Sequence, residues 1–99
     1  MELLWTWIGR FFGYRESEDL WTYDGRHVGR FYGNEIYSPK GHYLGELING
    51  RLITNRSKLT WKKLGFLPYG KRTGITKYAD RSGYALYAGY ENFPAPEEL

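Results

Sequence analysis

The sequence predicts an all-β fold: an antiparallel meander of about four hairpin-like units of roughly sixteen residues, in a pseudo-four-fold arrangement. Three observations carry that expectation. A sixteen-residue pattern recurs, turn dipeptides punctuate it, and no segment holds the sustained i, i+3, i+4, i+7 apolar stripe of an amphipathic helix. Ninety-nine residues leave room for one core, and aromatics must fill it, since Trp, Tyr and Phe make up 19% of the chain. Such a content argues against disorder. With no cysteine, the chain has no disulfide scaffold, no thiolate-held zinc or iron–sulfur site and no cysteine nucleophile. No apolar run reaches the ~18 residues that span a bilayer as a helix.

Met1–Tyr14 reads as a first strand rich in Trp and Phe. Glu2 stands where a secretory signal carries positive charge, and Arg10 interrupts the apolar run, so a cytoplasmic location is the default expectation. Within this stretch, Leu4-Trp5-Thr6-Trp7 and Ile8-Gly9-Arg10-Phe11-Phe12-Gly13 echo the two ends of the next unit, as a shortened copy whose turn is missing. Glu16, Glu18 and Asp19 then read as a solvated loop, without the buried, raised-pKa carboxyl that acid–base chemistry needs.

Leu20-Trp21-Thr22-Tyr23-Asp24-Gly25-Arg26-His27-Val28-Gly29-Arg30-Phe31 aligns without gaps over Ile36-Tyr37-Ser38-Pro39-Lys40-Gly41-His42-Tyr43-Leu44-Gly45-Glu46-Leu47. Sixteen residues are too few for a helical-pair repeat but suit two short strands and two tight turns. Asp24-Gly25 and Asn49-Gly50 are hairpin dipeptides, because a type I′ turn needs two positive φ angles. A further copy starts at Leu52-Ile53, has Ser57 in place of glycine, and recovers a Leu64-Gly65 pair after four extra residues. Gly29, Gly45 and Gly65 are expected inside strands, marking either a bulge or a site where a neighbouring aromatic lies over the bare backbone. A bulge would put Val28 with Phe31, and Leu44 with Leu47, on one face. The expected core is Trp5, Trp21, Phe31, Tyr37, Leu44, Leu47 and Leu86.

These units, the Asn49-Gly50-Arg51-Leu52-Ile53 link and the closing Ser82-Gly83-Tyr84-Ala85-Leu86-Tyr87-Ala88-Gly89-Tyr90 resemble the four-fold β-flower family. Its members are small bacterial domains whose hairpins sit like petals around a pseudo-four-fold axis. The resemblance implies a fold and no activity, with a single domain over 1–93 and a frayed Pro/Glu tail over 94–99.

Charge is uneven along the chain. Residues 1–50 hold five Lys or Arg against seven acids, whereas residues 51–99 hold nine against four. Arg51, Arg56, Lys58, Lys62, Lys63, Lys71, Arg72 and Lys77 fall in one segment without a single Asp or Glu. Such cations neutralise phosphates with release of counterions, and Trp61 and Tyr69 offer rings for stacking on unpaired bases. The plainer reading is that alternating strands point these cations in different directions, where they guard edges. No RNA-recognition, K-homology or helix-turn-helix signature accompanies them.

The remaining motifs are weak. His27 and His42 occupy different positions in their units and are expected on the surface beside turns, with no shared metal. No Gly-x-Ser-x-Gly elbow occurs. Gly70-Lys71-Arg72-Thr73-Gly74 lacks phosphate-loop spacing and reads as a mobile hairpin tip. The sequence therefore points to a non-enzymatic binding module without cofactor or metal. Its candidate site is Arg51, Arg56, Lys58, Trp61, Lys62, Lys63, Lys71 and Arg72, and its partner is anionic: nucleic acid, acidic protein or lipid. The alternative is a structural or self-assembling module that uses an exposed aromatic or strand-edge surface.

Overall fold

The computed structural model describes all of residues 1–99 and contains eight strands that pair in sequence order. They are β1 (Glu2–Thr6), β2 (Phe11–Glu16), β3 (Asp19–Thr22), β4 (His27–Tyr32), β5 (Glu35–Tyr37), β6 (Tyr43–Ile48), β7 (Arg51–Asn55) and β8 (Tyr90–Asn92). Successive strands are antiparallel, as expected. β7 also pairs in parallel with β1, through Trp5↔Arg51 and Thr6↔Leu52, and this closes the first seven strands into a barrel. β8 extends the same edge of β7, opposite Ile53–Asn55. No α-helix is present, and therefore none long and apolar enough to cross a membrane.

Short strands close into a small barrel only if they bend sharply, and bulges supply the bend. The register slips once in each of three hairpins, at Leu4/Trp5, Leu20/Trp21 and Ile36/Tyr37. Leu20 lies opposite Gly29 and Trp21 opposite His27, so Val28 is the extra residue; Phe12 and Leu44 are its counterparts. The slip resets the alternation, which places Val28 and Phe31 together in the core, with Leu44 and Leu47 packed against it. Leu4, Phe12, Leu20, Ile36, Leu52 and Phe93 complete that core. The expected bulge is found beside both Gly29 and Gly45, whereas an aromatic lies over the bare backbone only at Gly45, where it is Phe93; at Gly29 the covering side chain is the aliphatic Ile36. A Cβ on Gly29 would stand 2.8 Å from the Ile36 side chain, and one on Gly45 would stand 2.6 Å from the Phe93 ring.

Two kinds of turn alternate between the barrel's ends. Ser17-Glu18, Gly33-Asn34 and Asn49-Gly50 are two-residue turns whose first residue has φ of +55°, +63° and +51°. At the other end, Gly9, Gly25 and Gly41 take φ of +101°, +88° and +88° in longer loops. There the Gly9, Gly25 and Gly41 N–H groups donate to the Thr6, Thr22 and Ser38 carbonyls. The hydroxyls of Thr6, Thr22 and Ser38 accept from the Arg10, Arg26 and His42 N–H groups. The first unit is thus complete: Gly9 is the counterpart of Gly25 and Gly41, and the turn read as missing is present. Only Asn49-Gly50 has two positive φ angles; Asp24-Gly25 sits in a longer loop.

The expected fourth hairpin does not form. After Asn55 the chain enters a 3₁₀ turn at Arg56–Lys58, and residues 59–87 contain no strand. Gly65 is accordingly not a strand glycine, and Leu86 is 44% exposed rather than in the core. The tail is pinned, not frayed. Pro96 is buried, Leu99 packs on the core, Glu97 pairs with Arg10, and the Arg26 guanidinium donates to the Pro96 and Leu99 carbonyls.

Candidate functional site

Residues 59–87 form a belt laid across the three longer loops, and its own sequence repeats every nine residues. Lys63-Leu64-Gly65, Arg72-Thr73-Gly74 and Arg81-Ser82-Gly83 recur at that spacing, as do Tyr69, Tyr78 and Tyr87. The backbone hydrogen bonds follow the same period. Lys63, Arg72 and Arg81 donate N–H to the Gly41, Gly25 and Gly9 carbonyls, while Phe66, Ile75 and Tyr84 donate to Pro39, Tyr23 and Trp7. Approach is closest at the loop glycines. A Cβ on Gly9, Gly25 or Gly41 would stand 1.9 to 2.0 Å from the carbonyl oxygen of Arg81, Arg72 or Lys63. The two repeats, sixteen in the barrel and nine in the belt, run in opposite order.

The belt's leading cation in each repeat stacks on the barrel's outward-facing aromatic. The Arg81 guanidinium lies 3.5 Å from the Trp5 ring centre, Arg72 lies 3.8 Å from Trp21, and the Lys63 ammonium lies 5.3 Å from Tyr37. A cation over a ring keeps its N–H groups available at the periphery. The belt tyrosines add a second layer, with Tyr69 stacked on His27 at 5.1 Å and Tyr78 tilted on Phe11 at 5.3 Å. Trp5 and Trp7 donate their indole N–H to the belt carbonyls of Ala79 and Ala85. The buried Trp21 indole N–H has no protein acceptor.

The proposed cations divide into three groups. Arg51 is buried, and its guanidinium donates to the Thr6, Trp7 and Ser82 carbonyls beneath the Tyr84 ring, so it clamps the belt and faces no outside anion. Lys58 bridges Glu35 at 2.9 Å and Glu46 at 3.1 Å. Those two carboxylates face each other across β5 and β6. The Tyr37 and Tyr43 hydroxyls donate to them as well, and the Lys58 hydrogen bond holds Glu35 below the ordinary carboxylate range. Arg72 shares its charge with Glu16 at 2.8 Å. Arg56, Lys62, Lys63 and Lys71 form no ion pair, and neither do Lys40, Lys77 and Arg81. Trp61 is half-exposed, with the Lys58 ammonium over one face.

Sequence reasoning singled out Tyr69 but missed Lys40, Arg81 and Tyr78 as part of this surface. The signal that finds them is the nine-residue period, which a search tuned to sixteen passes over. Lys71-Arg72 proves to be a stretch of belt and not a hairpin tip. The acids of the β2–β3 turn are not a free cluster. Glu16 pairs with Arg72, Glu18 with Arg15, and Asp19 with His27 and Arg30.

His27 is buried, contrary to the surface position expected for it. Its Nδ1 accepts the Tyr69 N–H at 3.0 Å, which requires the proton on Nε2, beside Asp19 Oδ1 at 2.9 Å and the Gly29 carbonyl at 3.0 Å. Burial depresses its pKa, and Asp19 opposes that shift. His42 lies exposed on another loop, so the two histidines share no site.

A scan against protein-family models finds no match to this chain, and searches of curated proteins and of solved structures return no similar protein.

Proposed function

We propose that the protein is a non-enzymatic binding module that engages an anionic partner through the basic belt. One observation carries this reading: the belt gathers cations along one rim of the barrel with almost no compensating acid. Asp80, the belt's one acid, already accepts the Phe11 N–H. Lys40, Lys62, Lys63, Lys71, Lys77 and Arg81 are unpaired there, and stacking on rings gives the leading cations fixed positions without neutralising them. Retention on heparin at low and high salt tests the reading. Salt-sensitive retention that weakens in a Lys62→Gln/Lys71→Gln variant is expected, and passage without retention at low salt would overturn it.

The same proposal includes kinship with the β-flower domains and an approximate four-part arrangement. The sixteen-residue spacing of Leu4, Leu20, Ile36 and Leu52 supports it. Self-assembly is the second reading, favoured by the exposed Ile8, Leu59 and Tyr84 side chains. Light scattering over a concentration series tests it, and a strict monomer throughout would remove it.

A further inference from the structure

We infer that the belt's anionic partner is a lipid surface: the segment Lys62–Lys71 docks on a bilayer containing anionic phospholipid, with Leu64 and Leu67 entering the headgroup region. This inference rests on the anion-binding reading above and adds the chemical class of the partner. Leu64 and Leu67 are each 90% exposed, the most exposed of the chain's large apolar side chains. Water contact on that scale is unfavourable for an aliphatic side chain, and nothing in the protein covers either one.

The belt's backbone explains why they protrude. Lys63 turns inward over Tyr37, and Phe66 turns inward against His27 and under the Arg30 guanidinium. Their neighbours Leu64 and Leu67 therefore point away from the barrel, with the exposed Lys62 and Lys71 flanking them in sequence. Gly65 packs on Pro39, which brings the exposed Lys40 to the same place. The half-exposed rings of Trp61 and Tyr69 bracket the leucines. Aliphatic tips, amphipathic rings at their margin and a collar of lysines match the three layers of an anionic membrane interface.

Other occupants fit less of this surface. A single-stranded nucleic acid uses the cations and the rings, but it offers no apolar phase to leucine. A second copy would bring like charges together, because the segment around these leucines holds no Asp or Glu. An acidic protein supplies charge, yet the exposed leucines do not lie in a groove that would grip a chain; none of the molecule's three cavities is lined by Leu64 or Leu67.

The test is co-sedimentation of the full chain with phosphatidylcholine vesicles, with and without phosphatidylglycerol, alongside binding to heparin and to a single-stranded oligonucleotide. Sedimentation is expected only with phosphatidylglycerol present, and adding salt should weaken it. Lys62→Gln should lower partitioning roughly fivefold, following the electrostatic contribution of one lysine near such a surface. Leu64→Asn/Leu67→Asn should lower it at least about tenfold while leaving heparin binding and the melting temperature unchanged, since neither side chain packs inside the protein. Heparin or oligonucleotide binding without vesicle binding would overturn the lipid assignment and leave the anion-binding reading standing. Unaltered sedimentation of the double leucine variant would also overturn the assignment. Failure to bind any of the probes would overturn both.

Discussion

At the scale of single residues, the same position in the three barrel units holds Phe11, His27 and Tyr43, and each plays its part differently. Phe11 supplies only a ring, stacked edge-on with Trp5 at 5.1 Å. His27 supplies a ring and an acceptor for the belt, and it can be that acceptor only while neutral. Its depressed pKa means that the unfolded chain binds the proton first, so its contribution to stability is complete above about pH 6.5 and is lost progressively as pH falls below that value. Denaturation midpoints at about pH 7.5 and about pH 5.5 should therefore differ in the wild type, and the difference should shrink in His27→Phe, which copies the first unit. Equal pH dependence in the two proteins would refute this role. The indoles give a second residue-scale prediction. Trp5→Phe loses the hydrogen bond to Ala79, whereas Trp21→Phe loses none, so the former should cost about 1 kcal/mol more in a denaturant titration.

At the scale of elements, the loop glycines couple the barrel to the belt. Gly25 has φ of +88°, and a Cβ there would lie 2.0 Å from the Arg72 carbonyl oxygen. Gly33 also has positive φ, but nothing lies within 4 Å of its Cβ position. Gly25→Ala should consequently cost about 3 kcal/mol or more and loosen the belt around Arg72, while Gly33→Asn should cost less than about 1 kcal/mol. Comparable losses in the two variants, measured by urea unfolding, would contradict the docking geometry. The bulged strands were legible from the sequence, because Val28 and Phe31, like Leu44 and Leu47, break strict alternation beside a glycine. The belt was not. It makes no ladder, its residues are largely exposed, and its order comes from carbonyls on distant loops rather than from its own hydrophobic pattern. Leu86 looked like core for that reason: an aliphatic side chain between aromatics reads as buried unless its backbone is known to lie outside the barrel.

For the whole molecule, sequence reasoning reached the all-β meander and the concentration of cations, but not the closure or the disposition of the charges. Closure depends on two parallel pairs between β1 and β7, a contact far apart in sequence that no local pattern announces. The disposition of charge depends on which cations the fold consumes. Arg51 and Lys58 look like their neighbours in sequence, yet one is buried on carbonyls and the other sits between two glutamates. Alternation predicts which way a strand residue points, but it says nothing of a segment with no strand partner.

The belt is held to the barrel at three equivalent stations, one per loop. Residue-resolved amide hydrogen exchange tests this most directly. Protection is expected at Lys63, Arg72 and Arg81, and again at Phe66, Ile75 and Tyr84, recurring every nine residues against fast exchange at Leu64, Leu67 and Lys71. Uniformly fast exchange across residues 59–87, in a molecule whose β2, β4 and β6 amides remain protected, would contradict it.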